Sequence, residues 1–456
     1  MLNVDLCIIG FGISGIAMTR WAINSNLQII TLEQQPSFGG VWLSKSYPSV
    51  YLQTTKYSYC FSDMPMNKDV GLHPTHLDIL EYLKEYIHYH NLEKNVLFNS
   101  SVLSIKKDGE GLHRITYRNI KNNSINIIYS PYIAICSGLY TSPNNIPRNG
   151  YKGNISHISD FSPLKSYSKP LLYKKMFKNK NIVIIGNGPS GCDMACLSKK
   201  LGSKQTTILY RTPKWIFPRK IGLFSLNFLS NRLFLWLCTK LPVNIFLSVL
   251  FIIFYLPYYL FGFKNNFKLP NTIVNRNNLT LNEEVIKLIN DNKINYIQTD
   301  SIILNKQQLV YYDNGKNRHI LKPDYIIEAT GYKNGIKFLN INKLPNLYKR
   351  ILDPNDASIA FIGFAPSFNW VQVSDLQARW FINKIINNTL PTISQMDEHL
   401  TSNLKGYEYL PYEYQDLAYL SYTYCDSLAK DLNIKPKSKT FWSNWWKVPR
   451  FNEWSN

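Results

Sequence analysis

The sequence predicts an α/β fold of two similarly built units, the second inserted in the first, with an extra apolar helical insertion. Three observations predict it. A glycine-rich turn between an apolar strand and a helix opens the chain, a second copy follows in the middle, and a long apolar run lies inside the second unit.

In "VDLCIIGFGISGIAMTRWAI" (Val4–Ile23) an apolar strand runs into Gly10, Gly12 and Gly15, with a helix beyond. The first glycine permits the turn, the second lets a pyrophosphate approach the backbone, and the third lets helix pack on strand. Free N–H groups and a partial positive charge at the helix N-terminus suit phosphate. The next strand, "LQIITLE", ends in Glu33, 18 residues after Gly15, where a carboxylate can take two ribose hydroxyls. The unit is therefore Rossmann-like.

"NIVIIGNGPSGCDMACLSKK" repeats the pattern at Gly186, Gly188 and Gly191. Its following strand, "TTILYR", ends in Arg211 where the first copy has Glu33. An acid there repels a 2′-phosphate, whereas a guanidinium binds it bidentately. The second site is therefore expected to take NADPH, with Lys214 as a helper; the competing reading is that Arg211 only closes a strand edge. A site tuned for NADPH beside a second dinucleotide site points to electron transfer, and FAD is the natural occupant of the first.

Residues 1–165 form the first part of the FAD-binding unit. Residues 166–330 form the NADPH-binding unit, with a helical insertion at about 220–275, and residues 331–456 return to the first unit and add a tail. Two segments mark the crossings, "IAICSGLYTSPNNIP" (Ile133–Pro147) and "DYIIEATGYK" (Asp324–Lys333), each placing small residues where backbones approach closely. Past the second, "SIAFIGFAP" reads as a buried strand and "SDLQARWFINKIIN" as a helix with Ser374 as its N-cap. Such a helix would aim its N-terminus at a flavin carbonyl that becomes anionic on reduction.

Leu223–Phe263 departs from this pattern, because Ile245–Phe261 is broken only by Ser248 and Pro257. That run falls just short of the ~20 residues a simple span needs. An inserted helical subdomain, a peripheral membrane contact through 223–263 and a true span all stay open, the first being favoured. The tail "FWSNWWKVPRFNEW" suits a membrane interface or a folded-back plug equally.

The totals agree. The 456 residues, 45% hydrophobic and 14% aromatic, suffice for two or three folded domains. The formal charge of +21 suits an anionic partner, yet the basic residues are thinly spread among Asn and Ile, as biased codon usage alone produces. No zinc-finger or helix-turn-helix pattern favours nucleic acid. Seven cysteines without a C-x-x-C pair fit a reducing, cytoplasmic location and argue against a dithiol reductase. No basic region precedes Val4, so no signal peptide is expected. No metal-ligand spacing and no Ser-His-Asp or Cys-His constellation is found.

Ahead of the second turn, "YKGNISHISDF" places Tyr151, Gly153, His157 and Phe161 in the order F-x-G-x-x-x-H-x-x-x-(Y/F), with Tyr for the first Phe. With "GGVW" (Gly39–Trp42), "YLQTTKYSYCFSDMPM", "ATGY" (Ala329–Tyr332) and "DLQARW" (Asp375–Trp380), the chain resembles, almost end to end, the flavin-containing monooxygenases that oxygenate nitrogen or sulfur. The related Baeyer–Villiger enzymes close the pattern with Trp followed by Pro or Asp; Phe161–Ser162 ranks ketone oxygenation second.

The resemblance implies NADPH- and O2-dependent oxygenation of a small soft nucleophile, an amine or a sulfide, through a C4a-hydroperoxyflavin kept from water. It implies cofactor binding by Ser14, Gln34, Gly40, Val41, Trp42, Thr54, Ser190, Thr330, Gly331 and Gln372 beside the residues named above. It gives the YKGNISHISDF linker a structural role. Gly153 would allow a close turn, the two aromatics would pack, and His157 would fix the hinge by a hydrogen bond, with acid–base catalysis by His157 as the alternative. One departure stands out: Gln53 occupies the place where many relatives have an Asn that helps hold the oxygen adduct and NADP+. The catalytic role then rests on Gln53 or passes to Thr54 or Thr55. An NADPH oxidase releasing peroxide and a non-catalytic NADPH sensor are the competing readings, and a homo-oligomer is left open.

Overall fold

The computed structural model describes residues 2–165, 170–221, 224–225, 279–403, 417–437 and 452–455, apart from positions 110, 141, 307, 334, 343, 366, 368 and 454. The expectations for Leu223–Phe263, the insertion and nearly all of the Trp-rich tail lie outside these residues. Among the described residues, no helix is long and apolar enough to cross a membrane, and no cluster of metal-ligating side chains occurs.

The chain begins with β1 (Leu6–Ile9), α1 (Ile13–Ile23) and β2 (Ile29–Leu32). Helix α2 (His76–Tyr89) starts in a capping box: Asp78 N–H donates to Thr75 Oγ1 (3.2 Å) and Thr75 N–H to Asp78 Oδ2 (2.8 Å). Strands β3 (Val96–Leu97), β4 (Tyr132–Ile135), β5 (Ile155–His157) and β6 (Asn181–Ile185) follow. Next come α3 (Pro189–Lys200), β7 (Gln205–Tyr210), β8 (Asn295–Gln298) and β9 (Tyr325–Glu328). The described core closes with β10 (Leu352–Asp353), β11 (Asp356–Phe361) and α4 (Trp370–Ile386).

These strands make two sheets. The first runs β10-β11-β4-β1-β2-β3, parallel except at β10. It joins the start of the chain to its last third. The second runs β5-β9-β6-β7-β8 and is parallel throughout. Both central strands, LCII of β1 and IVII of β6, are buried end to end, as expected of parallel strands covered on both faces. Each sheet carries one glycine turn at the carboxyl end of its central strand, where open α/β sheets bind ligands. An α/β fold with two dinucleotide-binding Rossmann-type units results.

One expected boundary is corrected. Ser374 is not the N-cap of its helix: α4 begins at Trp370 after Asn369, and Ser374 is fully buried inside it. The side chains of Val371 and Val373 are buried too, so packing extends the helix a turn ahead of the polar cap signal.

Candidate functional site

The first turn is set by backbone contacts. Gly10 has φ +103°, and a side chain there would meet Cys136 O at 2.7 Å. A Cβ on Gly15 would overlap the carbonyl of Gly10. Gly10 N–H donates to Leu32 O (2.8 Å) and Cys136 N–H to Ile9 O (2.8 Å), so the turn is stitched to both neighbouring strands. Glu33 lies buried beneath it. Its Oε2 accepts from Phe11 N–H (2.6 Å) and its Oε1 from Gln35 N–H (2.8 Å). Burial raises its pKa, while N–H groups of Gln35, Phe11 and Gln34 pull it back. Helix α1 has no side-chain cap, so its first N–H groups remain available at the turn.

Around this turn the expected partners assemble. Gly39 N–H donates to Phe11 O (3.1 Å), which lays the Gly39–Trp42 turn against it, and Trp42 Nε1–H donates to Tyr59 Oη (2.9 Å). Val41 and Gln34 are exposed at the rim. Ser14 Oγ lies 3.1 Å from Ser374 Oγ, joining α1 to α4. The segment carrying Gln53 and Thr54 is strapped down: His73 Nδ1 lies 3.0 Å from Thr54 O, and Lys56 Nζ donates to Asn67 O (3.1 Å) and Lys68 O (2.8 Å).

Two buried polar groups here have no protein partner among the described residues: the Thr54 hydroxyl and both ends of the Gln372 amide, in the first turn of α4. Leaving such groups unpaired costs about 1–3 kcal/mol each. A flavin, whose ring edge carries carbonyls and an N–H, fits this demand, and the uncapped turn with buried Glu33 fits the dinucleotide portion.

The second turn repeats the first. Gly186 (φ +117°) abuts Ala329 O, Gly191 abuts Gly186 O, Gly186 N–H donates to Leu209 O (2.8 Å) and Ala329 N–H to Ile185 O (2.9 Å). Helix α3 also lacks a side-chain cap and opens with Pro189 at its start, while Gly188 faces open space. Asn187 Nδ2 donates to Thr212 O (3.1 Å), tethering the turn to the segment that carries Arg211. Arg211 is exposed and Lys214 is partly buried, which lowers its pKa. An exposed guanidinium beside an open, uncapped turn suits the 2′-phosphate of NADPH.

The two crossing segments clasp each other. Tyr332–Lys333 pairs antiparallel with Ser142–Pro143, Thr330 Oγ1 donates to Asn144 O, and Asn144 N–H donates to Gly331 O (3.0 Å). Buried Glu328 accepts from Ile146 N–H (2.7 Å) and Arg148 Nη2 (2.8 Å). His157 is built into this clasp: Nδ1 accepts from Ser159 N–H (3.2 Å), and Nε2–H donates to Gly331 O (3.1 Å). Its ring packs edge-on against Tyr332. Burial lowers its pKa and so favours the neutral ring, opposed by the Gly331 hydrogen bond, which raises it. His157 thus acts as a hydrogen-bonded pin. The two linker aromatics do not pack on each other. Phe161 stacks on Tyr173 and Phe177, whereas Tyr151 joins the cluster around Val183 and Ile185, its ring lying over Gly153.

Sequence reasoning missed a junction between the sheets. Tyr47 Oη–H donates to Asp193 Oδ2 (2.9 Å), joining the loop after Trp42 to α3. The only local signal was an acid among apolar neighbours in "GCDMAC".

A family model described as flavin-binding monooxygenase-like matches residues 4–447. The chain is 24% identical to putative flavin-containing monooxygenase 2 of Arabidopsis thaliana over 94% of this chain and 97% of that one. It is 25% identical to flavin-containing monooxygenase 1 of Mus musculus, over 94% of this chain and 83% of that one. Among solved structures, an open form of cyclohexanone monooxygenase superposes with a TM-score of 0.73 at 15% identity, covering 95% of this chain and 98% of that one.

Proposed function

The chain belongs to the flavin-binding monooxygenase-like family, FAD- and NADPH-dependent oxidoreductases that act on small molecules with O2, and we propose that it oxygenates a soft nucleophile, an amine nitrogen or a sulfide sulfur. The observation that carries this reading is the pair of turns of opposite charge, joined by a clasp pinned at His157 and continuing into Phe161–Ser162. FAD, when bound, accepts hydride from NADPH and activates O2 for transfer of one oxygen atom.

The roles follow from placement. The N–H groups opening α1 would hold the FAD pyrophosphate, Glu33 the ribose, and Gln372 and Thr54 the edge of the ring system. The α3 turn, with Gly188 and Ser190, would hold the NADPH pyrophosphate, and Arg211 the 2′-phosphate. Gln53 would lend its amide to the reacting face. His157 neither donates nor receives a proton in the reaction; both ring nitrogens are committed to the clasp. No side chain is needed as a nucleophile, because a soft nucleophile attacks the activated oxygen itself. The protein's task is orientation and exclusion of water.

Peroxide release is the second reading, favoured by Gln53, which carries its amide on a longer arm than the Asn of many relatives and is partly exposed. The test is incubation with NADPH and isotopically heavy O2 against tertiary amines, thioethers and cyclic ketones. One heavy oxygen in an amine oxide or sulfoxide is expected. Heavy oxygen only in a lactone would overturn the substrate class, and peroxide equal to the NADPH consumed, whatever the substrate, would establish the oxidase.

A further inference from the structure

Asp193 is a buried carboxylate on α3, the helix that opens at the second glycine turn, and it takes no part in the roles above. Three separate stretches of chain converge on it. Tyr47, whose ring is buried in the hydrophobic core of the second sheet, donates to Oδ2 (2.9 Å), and Ser49 Oγ donates to the Asp193 carbonyl (3.4 Å). Asn282 Nδ2 donates to Oδ1 (2.7 Å), while its own Oδ1 caps the helix Glu283–Asn290 through Val285 N–H (2.8 Å). Arg219 stands 3.9 Å from Oδ1 and pairs with Glu283 (3.3 Å). Ser190, inside the turn itself, lies close enough to the Tyr47 hydroxyl to lower its pKa against the effect of burial.

We propose that Asp193 is a positioning residue: through Tyr47 it fixes the NADPH-binding helix against the FAD-binding half, and so sets the rate of hydride transfer rather than the affinity for NADPH. The inference rests on the reading that the second turn holds NADPH. Of these residues only Ser190 is among those proposed to hold NADPH, so affinity should largely be spared. Geometry is sensitive at this distance, since a misplacement of ~1 Å costs on the order of 10²-fold in rate.

The charged and titratable groups facing Asp193 are Tyr47 from the first half, Arg219 and Glu283 from the flanking segments, and Cys192 and Cys196 on its own helix. Burial pushes the carboxyl up to about 6, with Arg219, Tyr47 and Asn282 pulling against it. The fold thus disfavours the anion, whose ionisation lowers stability as pH rises through about 6. Removing the charge should spare stability at neutral pH and still slow the reaction, which a merely structural role would not do.

The experiment is anaerobic rapid mixing of the FAD-loaded protein with NADPH, for the unaltered chain, Tyr47→Phe and Asp193→Asn, each normalised to bound flavin. Both variants should lower the limiting rate of flavin reduction by about tenfold or more while the half-saturating NADPH concentration moves less than about threefold. The Tm of Asp193→Asn should not fall at neutral pH. Below about pH 6 the unaltered protein should slow toward the rate of Asp193→Asn, which stays flat. Unchanged limiting rates in Asp193→Asn, or a loss appearing only in half-saturation, would overturn the proposal. If NADPH fails to reduce flavin in the unaltered protein, the functional reading falls with it; reduction there with unaffected variants defeats this inference alone.

Discussion

The two glycine turns are alike up to the residue that ends the following strand, and there they part. In both, the first glycine's N–H reaches the second strand at 2.8 Å, on Leu32 and on Leu209, and the third glycine packs on the first. In both, the residue between the first two glycines ties the turn to the end of that strand. Phe11 does so with its backbone N–H on buried Glu33, Asn187 with its side-chain amide on Thr212 O, leaving Arg211 in water. A buried acid accepts hydroxyls and repels phosphate; an exposed guanidinium binds phosphate. Turn geometry is generic, and we place the selectivity in one strand-end residue and in how the turn is tied to it.

The comparison breaks most severely at the third glycines. Gly15→Ala forces a methyl group into the Gly10 carbonyl, and overpacking of this kind costs about 1–3 kcal/mol. The variant should purify without flavin absorbance. Gly191→Ala should keep its flavin and fail to reduce it with NADPH, so a colourless Gly191→Ala would show that the turns are not independent. Glu33→Gln comes next. Its amide has a single acceptor oxygen, and leaving the Phe11 or Gln35 N–H unpaired costs about 1–3 kcal/mol, so flavin should dissociate roughly ten- to hundredfold more readily, read by the recovery of free-flavin fluorescence.

Arg211→Ala sharpens the comparison from the other side. Loss of a charged hydrogen-bonding partner is worth about 2 kcal/mol, hence ~30-fold in the KM for NADPH, with NADH use little changed. A variant that keeps its preference for NADPH would sink the phosphate assignment. His157→Gln should have the smallest effect, with about 1 kcal/mol of stability lost and faster escape of NADP+ in stopped-flow displacement. The pH dependence has a definite sign. Because burial lowers the His157 pKa below its usual 6.5, its contribution is fully present above about pH 6.5 and fades as pH falls through the lower folded value. Thermal melts should show that acid loss in the unaltered protein and less of it in His157→Gln.

Both turns were legible in the sequence because their requirements are local: glycines at fixed offsets, an apolar strand before, a helix after. The crossings were legible for the same reason, though their mutual pairing through Ser142–Pro143 and Tyr332–Lys333 was not. The start of α4 was misread because Ser374–Asp375 before an apolar run imitates a cap, while packing of Val371 and Val373 carries the helix further back. Asn369 makes no side-chain cap bond that could have marked the true start. The Tyr47–Asp193 contact joins residues 146 apart, and no local pattern encodes it. Gln372 was legible only through the resemblance; its unpaired amide is a property of the packed structure.

In the proposed reaction, electrons entering at the Arg211 turn leave through a flavin at the Glu33 turn to oxygenate a soft nucleophile. Its most direct test is to reduce the protein with NADPH without oxygen, then mix it rapidly with aerated buffer and follow absorbance. A near-ultraviolet species is expected, distinct from oxidised and reduced flavin, that persists alone and disappears on adding an amine or sulfide, with one oxygenated product per NADPH. Immediate return to oxidised flavin with an equivalent of peroxide, unaltered by any such substrate, would contradict it.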